Sequence, residues 1–71
     1  MWFDVKYFQC DDVENRRVFL WSERYDSYEE AMVGSRLADP NEYHLCIIFD
    51  AGNQYIISRS NDGEFCEEDM L

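Results

Sequence analysis

Four side chains in this sequence could hold a soft metal: Cys10, His44, Cys46 and Cys66. Zinc would be the chemistry, because thiolates and a neutral imidazole are among its usual ligands. The spacing argues otherwise. No CxxC knuckle is present, and His44 and Cys46 sit two residues apart, as strand neighbours in a core do. Three cysteines are also an odd set, unlike the even framework of a disulfide-stapled small domain. The reading is of reduced thiols packed as small apolar residues. His44, the only histidine, reads as hydrogen-bonded within a strand rather than as one half of a Cys–His nucleophile pair.

Carboxylates are the other chemical candidates. Sixteen acidic residues against six basic ones give a formal net charge of −10. General acid–base catalysis needs one carboxyl raised in pKa by an apolar pocket, and acids spread along the whole chain single none out. The sequence has no Gly-rich phosphate loop, P-loop or dinucleotide fingerprint, and its aspartates do not follow the calcium-loop order. It therefore reads as a non-enzyme with no cofactor and no metal. Its charge repels nucleic acid and anionic membrane and speeds encounter with basic surfaces.

The elements that carry these residues follow from the hydrophobic pattern. Seventy-one residues make one domain, 1–71. Twelve aromatic residues supply core and interface material, since each buries a large area. Residues 2–10 alternate as a β-strand, with Phe3, Val5 and Tyr7 on one face and Trp2, Asp4, Lys6 and Phe8 on the other. The polar stretch 11–15 reads as a hairpin loop, and 16–24 as a second strand pairing antiparallel with the first. Clean alternation there puts Val18 and Leu20 opposite in facing to Phe19 and Trp21.

Ser27 and Glu30 form a capping-box pattern that starts a helix, and Glu29 and Glu30 suit its positive end. Tyr28, Ala31, Met32, Ser35 and Ala38 follow helical spacing and give a narrow face of small and apolar residues. Pro40 ends the helix at or before Asp39. Gly34 within it costs up to about 1 kcal/mol relative to Ala, which close helix-to-sheet packing would justify. Residues 43–49, the most apolar run, read as a central strand. Asp50, Ala51, Gly52 and Asn53 supply a turn, and 54–60 return as a fourth strand. Asn61, Asp62 and Gly63 mark another turn, and 64–69 would add a short fifth strand or fray.

The fold class is thus α+β: an antiparallel sheet of four to five strands with one helix packed on one face, in the order ββαββ(β). With one face covered, the second would expose Trp2, Phe8, Phe19 and Trp21 as an aromatic interaction surface. The opening residues show neither a basic start nor an uninterrupted apolar stretch, and no run approaches the roughly 20 apolar residues of a membrane span. A cytoplasmic protein that does not engage a membrane is expected.

The acids cluster at Asp11, Asp12 and Glu14; at Glu23, Asp26, Glu29 and Glu30; at Asp39 and Glu42; and from Asp62 to Asp69. Carboxylates at alternate strand positions stand about 6.8 Å apart, and helical neighbours at i and i+4 about 6 Å apart. Both spacings suit rows of Lys and Arg that track a phosphate backbone. In length, charge, outline fold and lack of catalytic residues the whole chain resembles the small acidic inhibitors of bacteriophages and mobile elements, particularly anti-CRISPR proteins that mimic nucleic acid. That resemblance implies a steric and electrostatic mechanism: the inhibitor sits on the basic surface of an effector complex and excludes target DNA. The contact candidates are Asp11, Asp12, Glu14, Glu29, Glu30, Glu67 and Glu68, with Trp21 as the aromatic one. The partner would be a basic nucleic-acid-binding protein or complex in the host cytoplasm, with no direct contact to nucleic acid. Two other readings stay open: an immunity protein or antitoxin that caps a basic nuclease toxin, and an adaptor or homodimer pairing through its aromatic sheet face.

Overall fold

The computed structural model describes residues 1–11, 16–61 and 63. Alternating β-formers give β1 (Phe3–Asp11) and β2 (Arg16–Tyr25); α1 (Tyr28–Leu37) follows, then β3 (Leu45–Asp50) and β4 (Tyr55–Ser60). All pairings are antiparallel and the spatial order is β2-β1-β3-β4. The sheet therefore has two inner strands, β1 and β3, and the most apolar run is one of them. The fifth strand expected over 64–69 and most of the 11–15 loop lie outside the described residues. Among the described residues no helix is long and apolar enough to cross a membrane.

The helix forms where its cap was expected. Ser27 is extended (φ −140°, ψ 159°), and its hydroxyl accepts from the Glu30 amide at 3.1 Å. Glu29 and Glu30 occupy the first turn and Arg36 the last, the arrangement the helix dipole favours. Ala38 is already extended, two residues before Pro40. Ala31 and Ser35 are fully buried, with Tyr28, Met32 and Ala38 packed partly against the core. Small residues let the helix lie close to the sheet. From below, Arg59 donates to the Ser35 carbonyl at 3.0 Å and to Tyr43 Oη at 2.9 Å. A cation thus meets the negative end of the helix.

The core is built from Val5, Tyr7, Ala31, Tyr43, Cys46, Ile48 and Ile57. Burial of each large apolar side chain among them stabilises the fold by about 1.5–3 kcal/mol. His44 extends the sheet by a side chain. Its backbone N–H donates to the Phe8 carbonyl at 2.9 Å, and its side-chain Nδ1 accepts from the Cys10 amide at 2.9 Å. Cys10 is exposed and Cys46 buried, both as free thiols. Among the described residues no group of three potential ligands could hold a metal.

One register change corrects the sequence reading. Tyr7 pairs with Trp21 but Phe8 pairs with Phe19, so Leu20 is an extra residue, a β-bulge. The alternation of β2 shifts phase there. Trp21, Glu23 and Tyr25 share the helix side with Tyr7, Val5 and Phe3, while Phe19 stays opposite Phe8 on the other side. Trp21 is accordingly not on the outer aromatic face; it stacks on Tyr7 at 4.3 Å and 14° and meets Tyr43 edge-on.

The β3–β4 turn is also more specific than its composition. Asp50 Oδ1 accepts from the amides of Gly52 and Gln54, both at 2.9 Å. The left-handed residue is Asn53 (φ 63°), and Gly52 has negative φ.

Candidate acidic interaction groove

Between α1 and the helix-side residues of β2 runs an open groove. Its division follows from Tyr25 and Gly34. The Tyr25 ring lies directly against the helix at Gly34, where an added Cβ would collide with the phenol oxygen and ring carbons. This is the close approach that justifies a helical glycine. Tyr25 Oη donates to Glu23 Oε1 at 2.6 Å, which fixes the ring. Burial first, and the Glu23 bond second, push the Tyr25 phenol up to about 12. It remains a neutral donor at any physiological pH.

The ring splits the groove into two hollows. One, about 550 Å³, is lined by Tyr25, Glu29, Glu30, Val33, Gly34 and Leu37. The other, about 530 Å³, adds Trp21, Glu23, Ala38, Asp39 and Glu42 to Tyr25, Gly34 and Leu37. Two side chains of the wall stand out: Val33 is 59% exposed and Leu37 80%. Around this apolar strip are five carboxylates, Glu23, Glu29, Glu30, Asp39 and Glu42, and no basic side chain lines either hollow.

Four of the six bases are engaged elsewhere. Arg24 grips Asp4 on the far side of the sheet at 2.8 Å and lies 4.5 Å over the Trp2 ring. That hydrogen bond raises the Arg24 pKa and keeps the guanidinium charged. Lys6 sits 4.7 Å over the Phe49 ring and donates to Asn53. Arg59 is under the helix, and Arg16 faces Asp11 at 3.7 Å.

Of the sequence candidates, Glu29, Glu30 and Trp21 are brought to this groove. Asp11 is not: it lies half-buried at the far end of β1, beside Arg16. Asp12, Glu14, Glu67 and Glu68 lie outside the described residues. Sequence reasoning grouped Glu23, Asp39 and Glu42 with the acids without choosing them, and passed over Val33 and Leu37. A signal was there. Glu30, Val33, Gly34 and Leu37 follow i, i+3, i+4, i+7 spacing, a second stripe beside the buried one.

The opposite face has a weaker claim. Phe8 and Phe19 meet edge-on at 5.9 Å, with Phe19 55% and Trp2 39% exposed. Its middle is closed, because Ile47 and Ser58, paired across β3 and β4, are buried there. Activated nucleophiles do not appear among the shifted groups either. Burial raises the Cys46 thiol and the Tyr7 and Tyr43 phenols, which holds all three in their protonated, unreactive forms. Comparison with protein-family models, curated proteins and solved structures gave no match to this chain.

Proposed function

We propose that this chain is a stoichiometric inhibitor that occupies the Lys/Arg surface of a nucleic-acid-binding effector, foremost a CRISPR surveillance complex in the host cytoplasm. It blocks target DNA by placing carboxylates where phosphates would lie. The supporting observation is the one-sided charge: five carboxylates rim a groove that none of the six basic side chains lines. Such a field steers encounter with a basic surface and gives specificity. It does not by itself give tight binding, since exposed ion pairs contribute only about 0.2–1 kcal/mol each. The exposed apolar strip between the carboxylates is what would add residence time.

The test is a target-binding assay with purified surveillance complexes and a molar excess of this chain. The expected result is loss of duplex binding, reversed by added salt and by the combined substitution Glu23→Gln, Glu29→Gln and Glu30→Gln. Unchanged duplex binding at saturating chain, or inhibition indifferent to both salt and the substitutions, would count against the proposal.

A further inference from the structure

We infer that the groove between α1 and β2 receives a basic amphipathic helix of the partner, its apolar side chains against Val33 and Leu37 and its Lys or Arg residues at both ends. This rests on the inhibitor reading and names the surface and the segment through which it would work. Length sets the first constraint. Glu29 and Glu30 stand at the start of α1, and Asp39 and Glu42 lie beyond its end. The ten residues of α1 span about 15 Å at 1.5 Å per residue. A partner helix lying alongside meets both acidic ends with basic residues about ten positions apart, and carries apolar residues at helical spacing between them.

Backbone chemistry sets the second. An added strand is held by main-chain hydrogen bonds along a sheet edge. This groove is walled by a helix and by side chains of β2 on its face, so it offers no such ladder. A helix satisfies its own backbone and needs only side-chain contacts. Charge sets the third. Nucleic acid is repelled by the carboxylates. A second copy of this chain carries −10 itself, and its Arg24 and Lys6 are engaged by Asp4 and Asn53 on a strand surface. The occupant that complements the groove is a basic helix, the element many nucleic-acid-binding proteins lay along phosphates.

The experiment is a nuclear magnetic resonance titration of the isotope-labelled full chain with a synthetic helical peptide. The peptide carries leucines at i, i+3 and i+7, flanked by lysines about ten residues apart; a scrambled peptide of the same composition is the control. Shifts should concentrate on the Val33 and Leu37 methyls and the Trp21 indole, with the scrambled peptide at least about tenfold weaker. Val33→Ala with Leu37→Ala should lower affinity by about tenfold at an unchanged melting temperature, because both side chains are exposed. Equal affinity for the two peptides, shifts confined to Trp2, Phe8 and Phe19, or concentration-dependent shifts of the groove methyls without peptide would each overturn the assignment. None of those outcomes alters the duplex-binding assay. Ordered peptide binding without inhibition in that assay would leave the groove standing and remove the inhibitor reading.

Discussion

On the helix side of the sheet, Trp21 is stacked on Tyr7 and closed in by Tyr43. On the other side, two residues earlier in the same strand, Phe19 stands 55% exposed against Phe8. Charge divides the same way. The outer face balances its own, with Arg24 on Asp4 and Lys6 over Phe49, whereas the groove on the helix side gathers carboxylates without a lining base. A net charge is therefore a poor guide to where a small protein presents its field. What matters is which face leaves it uncompensated.

The sharpest way to break this comparison is to truncate the two aromatics. Trp21→Ala should cost roughly 3 kcal/mol, near the lower end for large aromatic truncations because the ring is half-buried. That is a large share of the roughly 5 kcal/mol a chain this size holds. Phe19→Ala should cost about 1 kcal/mol or less. Urea denaturation of both decides it, and equal losses would mean that the bulge does not separate the faces as described.

Removing a hydroxyl should act in the opposite direction. Among the described residues, Tyr7 Oη is buried with no hydrogen-bond partner, so Tyr7→Phe should stabilise by about 1 kcal/mol, read from the same denaturation curves. Gly34→Ala sets two terms against each other. Helix propensity gains about 1 kcal/mol, while pushing the Tyr25 ring aside costs about 1–3 kcal/mol. The net expectation is a destabilisation of about 1 kcal/mol, with the displaced, better-solvated phenol titrating closer to 10. A variant that is more stable than the parent would show that the ring moves freely.

Alkaline titration probes the same contact more gently. The Tyr25 phenol has an ordinary value of 10.0 and is held up to about 12 when folded. Between those values the folded chain keeps a proton that the unfolded chain releases. Its contribution is intact below pH 10 and is lost as pH rises towards about 12. Tyr7 and Tyr43 shift in the same direction. Tyrosinate absorbance should lag behind that of the urea-unfolded chain, and Glu23→Gln should reduce the lag. The smallest effect belongs to the outer face: Arg24→Gln, which removes an exposed ion pair, should leave the melting temperature unchanged within error.

Much of this architecture was legible because it is local. Alternation marked β1 and β2, the apolar run 43–49 and the turn after it marked β3 and β4, Ser27 and Glu30 marked the helix start, Pro40 marked its end, and the packed stripe from Tyr28 to Ala38 was read directly. Gly34 was read as a site of close helix-to-sheet packing, and the sheet group that meets it is the Tyr25 ring of β2. Trp21 was misplaced because a single extra residue in β2 is invisible to a period-two pattern; it is defined only by the pairing with β1. The groove was missed for a related reason. Val33 and Leu37 are unremarkable helix residues until β2 is known to supply the facing wall.

The extra residue at Leu20 is what lets Phe19 and Trp21, two positions apart in one strand, look to opposite sides of the sheet. Deleting it would join Phe19 directly to Trp21, and plain alternation against the same β1 partners would keep Trp21, Glu23 and Tyr25 beneath the helix. The acidic, aromatic wall would survive the loss of that one residue, and the ladder between β1 and β2 would become regular.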